Sequence, residues 1–204
     1  MGYRHIVFDV DGTLIDTLYS TTQALQDVLK EATGVVWPLE ELEFSYGIPG
    51  IDTLRQMKVE EPEKLLRQWE DKLDDYRKFD HVFEGIPQLL AVLSEAGLGL
   101  GIVTSRTRKE FDIDIAKLDI APYFQTVVCA DDTMGHKPQP DPLLKYLERA
   151  GCAKGEVLYI GDSVYDLGCA QAAGVDFGLA GWGATKRHGG RYVFERPGDV
   201  GKII

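Results

Sequence analysis

Apolar residues fall along this chain in two alternating patterns. Short β-branched and aromatic runs stop at clusters of Asp, Gly, Ser and Thr. Arg4 to Asp9 runs into Asp11-Gly12-Thr13, Leu98 to Val103 into Thr104-Ser105, Gln125 to Cys129 into Ala130-Asp131-Asp132, and Glu156 to Ile160 into Gly161-Asp162-Ser163. A fifth run, Val175 to Leu179, follows Gly174. Runs of this length bounded by turn residues predict buried strands. Between them, Pro87 to Ala96, Thr107 to Leu118, Pro142 to Ala150 and Val164 to Ala173 carry helical periodicity. Gly97, Gly151 and Gly174 follow such segments, where a helix C-terminus favours a residue able to turn left-handed. Strands alternating with helices predict an α/β fold, a parallel sheet covered on both faces. Ligands of such sheets bind beyond the carboxyl ends of the strands, where the polar residues from Asp9 to Asp162 fall.

One region breaks the alternation. From Asp16 to about Asp80 the patterns are helical only: Thr17 to Ala32, Leu39 to Phe44, Ile51 to Met57 and Glu61 to Phe79. This predicts a helical cap over residues 16–80 inserted into a core of residues 1–15 and 81–204, with hinges at Asp16-Thr17 and Asp80 to Gly85. The Gly-rich stretch from Gly181 to Gly190 reads as loop.

The 204 residues suit one domain with an insertion, and 44 % hydrophobic content suffices for a packed core. Acidic side chains outnumber basic ones by 33 to 22, a net charge of −11. Without a Lys/Arg run, this balance argues against nucleic acid and against anionic membranes as partners. Ile6-Val7-Phe8 is too brief for a signal-peptide core, and no apolar window would span a bilayer, so a cytoplasmic protein is expected. Cys129, Cys152 and Cys169 lack metal-site spacing and read as free thiols of a reducing compartment. A monomer and a homodimer are equally compatible with the composition. The acidity does not exclude a small phosphorylated substrate, because a bound cation reverses the local field.

Asp9 follows an apolar run directly and so needs a partner at the edge of the core. Asp162 and Asp166 pose the same problem after Leu158-Tyr159-Ile160. Carboxylates converging at one sheet edge repel unless a cation joins them, and hard oxygen ligands select Mg²⁺. A carboxylate beside Mg²⁺ can attack phosphorus to give an aspartyl-phosphate. Such a site also needs an acid or base and donors for the phosphoryl oxygens. Asp11 faces the same opening, Thr104 or Ser105 offers a hydroxyl, and Lys137 offers positive charge.

The string Phe8-Asp9-Val10-Asp11-Gly12-Thr13-Leu14, followed by Asp16-Thr17, resembles the first motif of the haloacid dehalogenase superfamily. Val103-Thr104-Ser105 resembles the second motif, His136-Lys137-Pro138 the third, and Gly161-Asp162-Ser163-Val164-Tyr165-Asp166 the fourth. The resemblance implies a Rossmann-like, doubly wound core with a helical cap. It implies Asp9 as nucleophile, Asp11 as general acid/base, Thr104 and Lys137 as groups on the phosphoryl, and Mg²⁺ held by Asp9, Asp11 (through its carbonyl), Asp162 and Asp166. Backbone amides from Val10 to Gly12, and at Ser105, would cradle phosphoryl oxygens. Asp11 is absent from the founding dehalogenases, and the branch of phosphonate hydrolases carries a small residue there. The β-phosphoglucomutase branch opens its cap with a histidine, whereas no histidine stands between His5 and His81. A phosphatase of small phosphorylated metabolites is therefore the leading expectation, with a phosphomutase or a non-enzymatic partner-binding module as alternatives. Gly47-Ile48-Pro49-Gly50 and Asp52-Thr53-Leu54-Arg55 resemble the specificity loop and helix of phosphoglycolate-phosphatase-like members. Arg55 and Arg106 are the expected substrate-anion contacts, with Gly47 allowing cap closure. Trp37 and Trp69 are expected in the cap core, Trp182 near the C-terminal sheet edge, and His136 as a loop neighbour of Lys137.

Overall fold

Ile6, Val7 and Phe8 lack the alternation of a strand with one wet face, and each is fully buried. A strand covered on both faces reads this way. In the computed structural model, which describes residues 2–203, this run forms β1 (His5–Phe8) near the middle of a six-stranded sheet; Met1 and Ile204 lie outside the described residues. The other strands are β4 (Gly99–Val103), β5 (Thr126–Val128), β6 (Val157–Gly161), β7 (Asp176–Ala180) and β8 (Tyr192–Phe194). Their order is β5-β4-β1-β6-β7-β8, and every pairing is parallel. Phe8 lies opposite Ile102 on one side and Ile160 on the other, so the chain leaves all three central strands at one edge. That edge carries Asp9, Thr104 and Asp162. Ile6 and Phe8 pack on one face with α5 (Ile86–Glu95), and Val7 packs on the other with α7 (Asp141–Ala150) and α8 (Val164–Ala173).

Between β1 and α5 the chain forms α1 (Leu18–Thr33), α2 (Leu39–Leu42), α3 (Gly50–Gln56) and α4 (Pro62–Tyr76). These helices have their own apolar cluster, centred on Leu25, Leu29, Leu42, Leu54 and Trp69, separate from the two clusters on the sheet faces. Trp69 joins that cluster, its Nε1 donating to the Thr21 carbonyl at 3.2 Å, and Trp37 packs against it. A two-residue antiparallel ladder, β2 (Ile15–Asp16) with β3 (His81–Val82), clamps the points where the helical segment leaves and rejoins the sheet. Two-residue strands carry no periodicity, which is why the sequence showed only hinges there.

Two elements differ from expectation. The helix after β4, α6 (Arg108–Asp114), stops short of Leu118, because the chain turns back to bury Ile115 and Ile120 in the sheet core. Its start is set by a capping box between Thr107 and Glu110. β8 was not anticipated, since three residues beyond a Gly-rich loop give too little pattern to read.

Gly101 of β4 makes room for the buried ring of Tyr146, as an added Cβ would stand 2.1 Å from Tyr146 Cε2. Gly101→Ala should therefore lower unfolding free energy by about 1–3 kcal/mol in urea titrations, the usual cost of overpacking a core. An unchanged midpoint would show that the ring can move aside.

Candidate active site

The buried polar groups at the sheet edge are placed by strand ends and by the helix and loop that follow them. The Asp9 N–H donates to the Ile160 carbonyl at 2.9 Å, and the Thr104 N–H donates to Val128 at 3.0 Å, so both extend their ladders by one residue. Asp162 follows β6 directly, and Asp166 sits in the first turn of α8. There the Asp166 N–H donates to Ser163 Oγ at 3.2 Å, while Asp166 Oδ2 accepts from the Ser163 N–H at 3.1 Å and its hydroxyl at 2.5 Å. Lys137 comes from the loop after β5 and is as deeply buried as these carboxylates.

Lys137 Nζ lies 2.9 Å from Asp9 Oδ1 and 2.7 Å from Asp166 Oδ1. Burial opposes its charge, but the two carboxylates outweigh burial and hold the ammonium well above the ordinary lysine value. The Tyr159 hydroxyl lies 2.7 Å from Asp166 Oδ1, so both oxygens of Asp166 are occupied. Carboxylate oxygens of Asp9, Asp162 and Asp166 fall within 4.8 Å of one another. Burial first, then the Asp166 charge, pushes Asp9 up to about 8 despite Lys137. Burial, Asp166 and Asp9 likewise raise Asp162 well above the usual carboxylate range.

Asp9 Oδ2 is buried with no hydrogen-bond partner. Gly12, at φ +76°, leaves Asp162 the space beside it, since a Cβ there would meet Asp162 Oδ2 at 2.3 Å. An orphaned carboxylate oxygen within a set of hard oxygen donors, with excess negative charge, fits a divalent cation. The Gly12 N–H is taken by the Ile15 carbonyl at 2.9 Å, so it is not free for a phosphoryl oxygen, and the glycine's service here is clearance.

Asp11 points away from the three-carboxylate group. Its Oδ2 accepts from Arg106 Nε at 2.9 Å, and its Oδ1 accepts from Arg106 Nη2 at 2.6 Å and from the Thr17 hydroxyl at 2.5 Å. Burial pushes its pKa up, but the guanidinium outweighs burial and leaves it lowered. Thr104 is buried and its Oγ1 accepts the Arg106 N–H at 3.1 Å.

The helical segment closes over this edge. Ser105 Oγ donates to the Gly47 carbonyl at 2.8 Å, and a Cβ on Gly47 would stand 2.9 Å from Ser163 Oγ. His136 Nδ1 lies 2.9 Å from Asp52 Oδ2, a second link between the layers. A cavity of about 250 Å³ lies between them, with Asp9, Asp11 and Ser105 on the sheet side and Tyr46, Gly47 and Trp69 above.

Arg106 lines this cavity, and Arg55 does not. Arg55 stands out from α3, pairing with Glu63 at 3.2 Å and facing Asp52 at 4.0 Å, so it is corrected to a surface arginine. Trp182 lies beside the turn, its Nε1 donating to the Thr13 carbonyl at 2.9 Å. Sequence reasoning missed Arg77, which lines the cavity from beyond α4, and Tyr159, which braces Asp166. Tyr159 looks like one more apolar residue of its strand, and Arg77 like one more charge on a polar helix end.

The family model for haloacid dehalogenase-like hydrolases matches residues 6–180. A phosphoglycolate phosphatase of Escherichia coli O157:H7 is 31 % identical over 200 residues, covering 84 % of this chain and 78 % of the relative. Pyrophosphatase PpaX of Bacillus pumilus is 27 % identical over 212 residues, covering 98 % and 95 %. The crystal structure of a Lactobacillus plantarum protein assigned as a phosphoglycolate phosphatase superposes with a TM-score of 0.92 at 31 % identity, over 100 % of both chains.

Removing Lys137 strands two buried carboxylates, which typically costs about 3–5 kcal/mol. Lys137→Met should show that loss in urea unfolding of the metal-free protein, and adding Asp9→Asn should recover part of it. If Lys137→Met is as stable as the parent, the ammonium is not what holds the cluster together.

Proposed function

The chain belongs to the haloacid dehalogenase-like hydrolases, and from that premise we propose a Mg²⁺-dependent phosphatase of small phosphorylated metabolites that works through a phosphoaspartate on Asp9. The observation that carries this reading is Asp9 Oδ2, buried and unpartnered on a residue that lines the cavity, with Lys137 already on the other oxygen. Relatives named for phosphoglycolate and pyrophosphate support phosphoryl chemistry.

Asp9 and Asp162, with the carbonyl of Asp11, would hold Mg²⁺, while Asp166 keeps Lys137 and Ser163 in place. Bound there, the ion would neutralise the nucleophile's surroundings and the phosphoryl oxygens. In the first step an Asp9 oxygen bonds to phosphorus, the bond from phosphorus to the leaving alcohol breaks, and Asp11 gives its proton to that alcohol. In the second, water attacks phosphorus, its proton passes to Asp11, and the bond to Asp9 breaks. The ionised Asp11 paired with Arg106 is the form suited to the second step. The first requires the guanidinium to loosen.

Lys137 holds Asp9 Oδ1 and supplies positive charge toward the phosphoryl group, and the Thr104 hydroxyl is within the same edge to donate to a phosphoryl oxygen. Residues 16–80 act as the cap and 1–15 with 81–204 as the core; closure through Gly47 and Asp52 excludes water and strengthens the fixed charges. Three free cysteines support a reducing compartment, and among the described residues no helix is long and apolar enough to cross a membrane.

Phosphate release from a panel of phosphorylated metabolites should require Mg²⁺, and Asp9→Asn should lower kcat by about 10⁴-fold or more, as loss of a covalent nucleophile does. An Asp9→Asn protein with the parent's rate, folded by circular dichroism, would remove Asp9 from this role.

A further inference from the structure

We infer that Arg77 is a specificity-determining residue, and that it receives a carboxylate carried by the substrate's leaving alcohol. The inference rests on the phosphatase reading, since it takes the phosphoryl group to sit at Asp9 and the alcohol to occupy the rest of the cavity. Among the described residues, two buried side-chain polar atoms lack a hydrogen-bond partner, Asp9 Oδ2 and Arg77 Nη1. Both residues line the same cavity of about 250 Å³. A buried donor without an acceptor is as costly as an orphaned acceptor, so the two together call for one small ligand with a polar group at each end. The phosphoryl group answers Asp9. Arg77 requires an oxygen acceptor at the other end, and its charge favours an anionic one.

Arg77 follows α4 and precedes β3, the strand that clamps the helical segment to the sheet, so it is anchored near the hinge. Its Nε donates to Asp74 Oδ1 at 2.7 Å, which holds one edge of the guanidinium in place. Nη1 stands against Asp114 Oδ1, yet no hydrogen bond joins them. Arg106 is placed differently, with Nε and Nη2 donating to Asp11 and Nη1 to Asp114. Of the two guanidiniums lining the cavity, Arg77 is thus the one with a buried donor still to be satisfied.

The surrounding charges leave room for one more negative group. Arg77 belongs to a network with Asp114, Arg106 and Asp11, whose side chains are only 16–17 % exposed, and the four together make two cations and two anions. The other acids on this wall are held back from it. Asp71 and Asp74 are exposed, so water screens them. Glu70 lies 3.9 Å from Lys109 Nζ, and Glu110 is turned to the Thr107 N–H and hydroxyl at 2.6 and 2.7 Å. A carboxylate brings a single charge and matches the forked edge of a guanidinium, whereas a second phosphate would bring more charge among the same acids. An ester with a methyl group in that place would leave Nη1 unpaired, the kind of difference by which a site rejects an analogue.

The test compares three substrates with Mg²⁺: 2-phosphoglycolate, ethyl phosphate, which has a methyl group in place of the carboxylate, and pyrophosphate. For the parent, kcat/KM for phosphoglycolate should exceed that for ethyl phosphate by about tenfold or more, the size expected of a hydrogen bond to a charged group. Arg77→Met should bring that ratio to within about threefold of one, and Arg77→Lys, which keeps the charge but not the fork, should give an intermediate ratio. A parent that cleaves ethyl phosphate as fast as phosphoglycolate, or an Arg77→Met protein that keeps the parent's ratio, would overturn the inference and leave the phosphatase reading standing. A parent that prefers pyrophosphate to phosphoglycolate would overturn it equally. Absence of turnover on all three substrates and on the wider metabolite panel would remove both readings.

Discussion

One ammonium serves more carboxylates than it can neutralise. Lys137 is sealed between Asp9 and Asp166, and Asp162 stands within reach of both without a cation of its own. In water such charges would be solvated; at the edge of a buried sheet they are held together by the fold that surrounds them. Burial first, and then the Asp166 charge, keep Asp9 raised to about 8 even with Lys137 beside it. Everything else at the site either tolerates that imbalance or makes use of it. Tyr159 and Ser163 occupy Asp166 so that it need not seek another partner, and Gly12 stays out of the space beside Asp162.

The sheet makes such a concentration of charge affordable. Parallel pairing of β1 with β4 and β6 brings three strand ends to one edge, and the apolar clusters on both faces fix those ends rigidly. A side chain set on a strand end keeps its position more closely than one on a mobile loop. The helical segment contributes the opposite property. It has its own apolar cluster and meets the site through polar contacts, among them Gly47 to Ser105 and Asp52 to His136. From Asp11 through Arg106 and Asp114 to Arg77, alternating charges run outward from the chemistry to the cap.

What was legible in the sequence is what a strand end makes visible. A carboxylate immediately after Ile6-Val7-Phe8 or Leu158-Tyr159-Ile160 conflicts with its surroundings, and that conflict can be read without coordinates. The helical insertion was legible because its periodicity runs for some sixty residues unbroken by any apolar run of strand type. Contacts between distant segments were not legible. Arg55 and Arg77 are both arginines at the polar ends of cap helices, and only packing sends one to the surface beside Glu63 and the other into the cavity. Asp11 looked like a fourth member of the acidic cluster, yet Arg106, ninety-five residues away, turns it aside. Elements too short for a period, β2, β3 and β8, left no signal at all.

The central claim is that the carboxylate cluster is completed by a divalent cation. Isothermal titration of Mg²⁺ into the metal-free protein at pH 7, repeated in buffers of different ionisation enthalpy, tests it most directly. With Asp9 raised to about 8, binding of one ion should release up to about one proton, because the ligand must be deprotonated. Asp162→Asn should weaken that binding by about tenfold or more, the loss expected when a direct ligand is removed. Binding without proton release, and with equal affinity in the variant, would place the ion elsewhere and contradict the account.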